Sequence, residues 1–222
     1  MALDPSRASR ASVLLLLLGP CASAMSRPVR LFTHTACPFA QRVWIALEAS
    51  NIPFEKVEVN LYGSGGFDKT QLRKVEAAGG LSPKGYIPVM QIGDEVVRES
   101  SVLVERVAQL SATTAGATSL APDDMSAAEL LVSLCNALPK STRSKELDEL
   151  LRKCDAAVAV AGADGFLAGS TFSIADACLL PFLQRVEDAM PSDATHLRGY
   201  MQRAHKLPAF AKTVVSSWWW WW

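Results

Sequence analysis

The order of strand and helix patterns along the chain limits its fold more than any other sequence feature. Between residues 29 and 110, short strand patterns alternate with helical ones, whereas beyond residue 124 only helical patterns recur. Residues 111–124, SATTAGATSLAPDD, are small, polar and proline-containing, which is typical of a linker. The sequence therefore predicts an α/β domain over residues 27–110, this linker, and an all-helical domain over residues 125–215.

The first half follows the predicted order β-α-β-α-β-β-α, and its last two strands are expected to pair as an antiparallel hairpin around Gly93-Asp94. The helix expected from residue 174 begins with Ser173 and Asp176 at capping-box spacing, so we interpret Asp176 as structural. The predicted strands are 29–33, 54–61, 88–92 and 95–98, and the predicted helices are 38–50, 68–77, 100–110, 125–138, 144–160, 174–190 and 194–205, with a short turn after residue 208.

Both ends of the chain are expected to lie outside the fold. Residues 1–24 combine two arginines, a leucine run and an Ala-x-Ala site, which is the layout of a secretory signal. The alternatives are an upstream extension before a true start at Met25 and a plastid-directed leader. The tail 216–222 ends in five tryptophans and is given no catalytic role. A cytoplasmic location is expected, and a functional leader would instead direct the chain to the secretory route or a plastid.

Charge and cysteine spacing exclude several classes of function. The 222-residue chain has 22 basic and 22 acidic side chains, so it lacks the cationic surplus of a strongly basic nucleic-acid-binding domain. Its five cysteines are widely spaced, with no CxxC pair, which argues against a zinc site or a disulfide framework. The sequence thus predicts neither a nucleic-acid partner nor a metal, and scattered cysteines fit a reducing compartment.

Cys37 is the residue whose position most favours chemistry. It stands between a predicted strand and a predicted helix, directly before Pro38, which suits the first helical turn. Backbone N–H groups at a helix start stabilise an anion, so a thiol there is expected to have a lowered pKa and to react as a thiolate. Because position 40 is Ala40 rather than a second cysteine, an external thiol must resolve any mixed disulfide.

Two further segments are candidates for ligand binding. The Ile87-Pro88 bond opens a predicted strand, and a cis form there would present the Ile87 backbone to an extended peptide-like ligand, whereas a trans strand start is the simpler alternative. Glu99-Ser100 precedes a predicted helix and is either an ordinary cap or a cradle for an amino-acid head group. Taken together with Cys37, these segments fit a short thiol-containing peptide such as glutathione.

These residues resemble those of a known family. CPFAQRVWI at 37–45, KGYIPV at 84–89 and Glu99-Ser100 resemble the cysteine-type glutathione transferases, with the lambda and omega classes most similar. The Ser173–Asp176 box and LPAF at 207–210 resemble the helical domain of the same superfamily. The resemblance covers about residues 29–215 and implies a thioredoxin-like N-terminal domain followed by an all-helical C-terminal domain.

The resemblance also implies a site and a reaction. Cys37 would form a mixed disulfide with glutathione, which acts as co-substrate without a metal, in thiol transfer, deglutathionylation, or reduction of dehydroascorbate or glutathione conjugates. The acceptor would be a small electrophile, disulfide or conjugate, and both a monomer and a homodimer stay open. The implied glutathione-binding residues are Phe39, Ile87, a cis Pro88, Glu99, Ser100 and a lysine of the second helix, Lys69 or Lys74.

Two non-enzymatic functions remain as alternatives to the enzyme. The intracellular chloride-channel-like proteins share a CPF-x-QR motif but tend to lack the Glu-Ser pair that this chain has at Glu99-Ser100. A glutathione-fold binding module without turnover is the other alternative. Binding to immobilised glutathione and a thioltransferase assay separate these readings.

Overall fold

The computed structural model describes residues 27–63, 65–74, 81–124, 126, 129 and 145–214. The predicted leader, the tryptophan tail and nearly all of the predicted helix over 125–138 lie outside the described residues.

The first half of the described chain forms a five-stranded sheet with three helices. Its elements are β1 (Val29–Thr33), α1 (Pro38–Ser50), β2 (Phe54–Asn60), β3 (Phe67–Asp68), α2 (Lys69–Lys74), β4 (Val89–Ile92), β5 (Glu95–Arg98) and α3 (Ser100–Thr113).

The sheet is mixed, with strand order β3-β2-β1-β4-β5. Strand β2 runs parallel to β1 and to β3, whereas β4 is antiparallel to both β1 and β5. Every residue of the central strand β1 except Arg30 is buried, because both faces of the sheet are covered there. This is the predicted α/β pattern, with the antiparallel hairpin formed by β4 and β5.

The second half of the described chain is helical, with one isolated bridge between Phe166 and Gly169. Its elements are α4 (Lys145–Ala161), α5 (Ile174–Arg185), a 3₁₀ turn (Glu187–Ala189), α6 (Thr195–Ala204) and α7 (Pro208–Ala211). Within the described part of the chain, no helix is both long and apolar enough to cross a membrane.

Helix α1 agrees with its sequence signals at both ends. Cys37 is its N-cap, Pro38 occupies the first turn, and Asn51 ends it in a left-handed conformation with its N–H donating to the Glu48 carbonyl. The buried face of α1 contacts α3 and also α5 and α7 of the helical half. One apolar cluster therefore runs from Leu31 in the sheet to Leu179 in α5 and joins the two halves.

The predicted capping box is confirmed at the start of α5. The Ser173 hydroxyl accepts from the Ala175 N–H at 3.2 Å, and the Asp176 carboxylate accepts from the Ser173 N–H at 2.8 Å. Asp176 is fully buried and also accepts from the Tyr200 hydroxyl at 2.9 Å and the Leu167 N–H at 3.0 Å. These contacts link α5, α6 and the preceding loop, which supports a structural role for Asp176.

Apart from shifts of one residue at several element ends, the structure differs from the prediction in three places. Phe67–Asp68 forms β3 beside the end of β2, where a loop and a helix start were expected, because pairing with a neighbouring strand overrides the local signal. Helix α3 continues to Thr113, into the predicted linker, since the Thr114 N–H still donates to the Leu110 carbonyl and Ser111 is buried. Helix α5 ends at Arg185 and is followed by the 3₁₀ turn Glu187–Ala189 rather than continuing to residue 190.

Candidate active site

Cys37 lies half-buried at the end of β1, on the turn that leads into α1. The Cys37 N–H donates to the His34 carbonyl at 2.9 Å, and its own carbonyl accepts from the Gln41 N–H at 2.9 Å, as expected of an N-cap. On the same turn, the Thr35 N–H donates to the Glu58 carboxylate of β2 at 2.7 Å. The strand–Cys–Pro–helix arrangement is therefore present as predicted.

The predicted lowering of the Cys37 pKa is wrong for this structure. Burial raises the pKa of the Cys37 thiol, because the thiolate loses hydration. Hydrogen bonds from the Ala40 and Phe39 N–H groups lower this pKa, and so do the positive charges of Arg185 and Arg42, but these effects together do not outweigh burial. The N–H groups at the helix start thus lower the Cys37 pKa as predicted. Burial in the folded protein nevertheless makes the net shift of that pKa upward.

A cavity of about 730 Å³ lies beside this turn. It has the size of a small-molecule site and combines apolar with charged and hydroxyl groups. Neither Cys37 nor Lys69 is among the described residues that line it. The lining residues are Phe39, Ser82, Pro83, Lys84, Tyr86, Ile87, Pro88, Arg98, Glu99, Ser100 and Ser101.

The structure thus brings together most of the residues singled out from sequence. The Ile87-Pro88 bond is cis, as the family resemblance implies, and both residues border the cavity just before β4. Glu99 and Ser100 border it at the start of α3, and Phe39 does so from the first turn of α1.

Glu99 has an unusual backbone conformation. Its φ of 69° with ψ of 118° lies outside the regions that non-glycine residues favour, although it is the N-cap of α3. The carboxylate makes no side-chain cap hydrogen bond, and the residue is exposed. Strain of this kind persists where the surrounding structure imposes it, commonly at ligand sites. The geometry therefore favours the head-group interpretation of Glu99 over the simple helix cap.

Arg42 of α1 contacts two residues that line the cavity. It is fully buried, and its Nη1 donates to the Ser100 hydroxyl at 3.3 Å. Its guanidinium carbon lies 4.6 Å from the centre of the Phe182 ring and 5.2 Å from that of Phe39. Arg42 thereby helps to fix two cavity residues, Phe39 and Ser100.

The lysine expected at the site differs from the one that the structure places there. Lys69 is the exposed first residue of α2, beyond β3 at the sheet edge, whereas Lys84 lines the cavity. Lys84 lies in the turn closed by the Gly85 N–H and the Ser82 carbonyl at 2.8 Å, and its own carbonyl accepts from Arg73 at 3.2 Å. The sequence signal for this turn was the Pro83-Lys84-Gly85 run, which gave no indication of which lysine faces a ligand.

Arg98 is a second charged lining residue that sequence reasoning missed. Its Nε donates to the Leu81 carbonyl at 2.6 Å and so holds the loop before the cis proline against the end of β5. Its position next to Glu99 was visible in the sequence, but its contact with Leu81 depends on the fold.

The comparisons with known proteins agree with this fold. Residues 36–110 match the family model of the glutathione S-transferase N-terminal domain, and residues 140–203 match that of the C-terminal domain. The mixed sheet followed by helices is the glutathione transferase fold, whose first domain is thioredoxin-like. The chain belongs to the glutathione S-transferase family.

Individual relatives are distant. A rice protein named probable glutathione S-transferase DHAR2, chloroplastic (Oryza sativa subsp. japonica), is 25% identical over 80% of this chain and 65% of its own length. Glutathione S-transferase 3 of maize (Zea mays) is 28% identical over 85% of this chain and 94% of its own. The solved structure of Chlamydomonas reinhardtii dehydroascorbate reductase has a TM-score of 0.65 at 18% identity, over 86% of this chain and 94% of that one.

Proposed function

We propose that this protein is a cysteine-type glutathione transferase that reduces small disulfides, glutathionylated thiols or related acceptors through a glutathione mixed disulfide on Cys37. The observation that carries the proposal is the placement of Cys37 at the N-cap of α1, next to a cavity bordered by Ile87, the cis Pro88, Glu99 and Ser100. The likeness to a rice protein named DHAR2 supports a reductase of this class.

The cavity has groups for each part of glutathione. The Glu99 carboxylate suits the ammonium of the γ-glutamyl end, and the Ser100 hydroxyl with the start of α3 suits its carboxylate. The backbone of Ile87, ahead of the cis Pro88, suits the extended peptide part. Lys84, on the same rim, offers a positive charge to the glycine carboxylate.

The proposed reaction has two thiol–disulfide exchanges. The Cys37 thiolate attacks the glutathione sulfur of a mixed disulfide, the S–S bond breaks, and the acceptor leaves as a thiolate that takes up a proton. A second glutathione, as its thiolate, then attacks the glutathione sulfur of the Cys37 mixed disulfide. The S–S bond to Cys37 breaks, oxidised glutathione is released and the Cys37 thiolate is restored. Because residue 40 is alanine, the second step depends on external glutathione.

Replacing the thiol tests this mechanism. Cys37→Ser should abolish glutathione-dependent reduction of a small mixed disulfide, because a hydroxyl cannot form the disulfide intermediate. Retention on immobilised glutathione should persist, since the cavity residues are unchanged, and Cys37→Ala serves as the matched variant without a hydroxyl. A Cys37→Ser protein that keeps its reduction rate would contradict the cysteine mechanism.

The same measurements, together with chloride flux across vesicles, separate the alternatives. A binding module retains glutathione but shows no turnover in the unaltered protein, and a chloride-channel-like relative shows no turnover together with chloride flux across vesicles. The Glu99-Ser100 pair on the cavity rim favours the glutathione enzyme over the channel-like reading.

A further inference from the structure

Arg185, the last residue of α5, crosses from the helical half to the turn that holds Cys37. Its Nη2 donates to the carbonyl of Ala36, the residue directly before Cys37, at 3.0 Å. Its Nη1 donates to the side-chain oxygen of Gln41 at 2.7 Å and to the Pro181 carbonyl one turn earlier in α5. A single guanidinium therefore holds both the entry to α1 and the buried side of its first turn.

Gln41 extends this connection to the end of the described chain. It is buried, and its amide nitrogen donates to the Thr213 carbonyl at 2.9 Å, the Thr213 hydroxyl at 3.2 Å and the Gln184 side chain at 3.1 Å. With the amide fixed in this way, its oxygen is directed to Arg185. The position of Arg185 is thus determined from α1, α5 and the segment after α7 together.

The charge of Arg185 acts on the same thiol. Burial lowers the pKa of Arg185 to about 9, which still leaves it positively charged at neutral pH, and the nearby Cys37 thiolate raises that pKa. Reciprocally, the Arg185 charge opposes the effect of burial on Cys37. A partly buried pair of this kind is screened less by salt than a surface pair.

We infer that Arg185 is a positioning residue for Cys37: it fixes the Ala36–Cys37 turn and supplies, from the helical domain, a positive charge that favours the reactive thiolate. Helix α5 would then control nucleophile reactivity in addition to covering the sheet domain. The inference rests on the proposed role of Cys37 as nucleophile, but not on any particular acceptor.

Other charged groups lie around the Cys37 turn, and their effects on the thiol must be distinguished from that of Arg185. Arg42 of α1 also favours the thiolate. The Glu58 carboxylate of β2 accepts from the Thr35 N–H on the same turn. His34 lies on the turn itself, where its ring nitrogen accepts from the Ala36 N–H at 3.1 Å, and Glu99 lies across the cavity rim. A variant at Arg185 leaves all four in place.

The test is the pH dependence of Cys37 alkylation by iodoacetamide in the full chain, followed by mass spectrometry of the Cys37 peptide without glutathione. Arg185→Gln should slow alkylation at neutral pH by about three- to tenfold, because removing an adjacent opposite charge disfavours the thiolate. At strongly alkaline pH, where the thiol is ionised in both proteins, the rates should converge. Arg152→Gln is the matched control, since Arg152 is an exposed α4 arginine paired with Asp193.

Arg185→Lys keeps a positive charge but not the planar fork that contacts Ala36 and Gln41, so its rate at neutral pH should fall between those of Arg185→Gln and the unaltered protein. Superimposable profiles for Arg185→Gln and the unaltered protein would overturn the inference. If Arg185→Gln does not fold, Arg185→Lys decides alone: an alkylation profile superimposable on that of the unaltered protein would overturn the inference, since lysine lacks the guanidinium fork. Because alkylation needs no glutathione, a shifted profile stands even if the unaltered protein proves to have no transferase activity.

Discussion

The strained backbone of Glu99 allows a quantitative test of whether this residue serves ligand binding rather than stability. Its φ of 69° with ψ of 118° costs a non-glycine residue roughly 1–3 kcal/mol. Glycine adopts positive φ readily but loses about 0.5–1 kcal/mol through the greater freedom of the unfolded chain. Because the Glu99 side chain makes no cap hydrogen bond, Glu99→Gly should raise the free energy of unfolding by up to about 2 kcal/mol. Urea unfolding, with the midpoint and slope compared between the proteins, measures the change.

Glu99→Gly should also bind glutathione poorly, because it removes the carboxylate. Glu99→Gln keeps the backbone and the size of the side chain but removes the charge, so it should weaken binding by about 1.5–3 kcal/mol, the scale of a hydrogen bond to a charged group. That corresponds to a loss of roughly 10- to 150-fold in affinity, measured by titration calorimetry. Glu95→Gln is the control, because Glu95 is an acid of the adjacent strand that pairs with Arg106, away from the cavity lining.

Two results would refute this reasoning. If Glu99→Gly lowers the free energy of unfolding by more than 1 kcal/mol, the conformation is not strained and the side chain supports the fold. If Glu99→Gln binds glutathione as tightly as the unaltered protein, Glu99 is only the residue before a helix.

Two further variants probe the supporting structure. Ser173→Ala should lower the free energy of unfolding by about 1 kcal/mol, since it removes the hydroxyl that accepts from the Ala175 N–H, and urea unfolding should show this without a change in Cys37 reactivity. Gly85→Ala should cost about 1–2 kcal/mol, because φ is 71° there. Its added Cβ would also lie 2.9 Å from Arg73 Nε. The resulting shift of Arg73 should weaken glutathione binding on the Lys84 side, and unchanged stability and affinity would contradict the role given to this glycine.

The elements that could be read from the sequence are those with strong local signals. Helix α1 runs over the predicted residues 38–50 because Pro38 starts it and Asn51 can adopt the left-handed conformation that ends it. The cap of α5 was equally readable, since both partners of the box lie within four residues. Strand β3 was missed because two residues carry no periodicity, and they become a strand only by pairing with Val59 and Asn60.

The residues of the candidate site likewise fall into those that local sequence indicates and those that only the fold brings to the cavity. Cys37, Glu99 and Ser100 were singled out because each stands at a junction between predicted elements, whereas the cis form of Pro88 was implied by the family resemblance. The family resemblance pointed to a lysine of the second helix, Lys69 or Lys74, whereas the cavity lies at the turn before β4 and is lined by Lys84. No sequence spacing links Arg98 to the Leu81 carbonyl, so that contact had to come from the structure.

The sequence by itself determined the order of the described strands and helices apart from β3, the thiol at a helix start and the lack of a second cysteine at position 40, because each depends on neighbouring residues. Tertiary structure alone decided the sign of the Cys37 pKa shift. Burial raises that pKa, while Arg185, 148 positions along the chain, and Arg42 oppose the rise. Hydration and the charges that replace it depend on which elements pack around the thiol, and no local pattern encodes that packing.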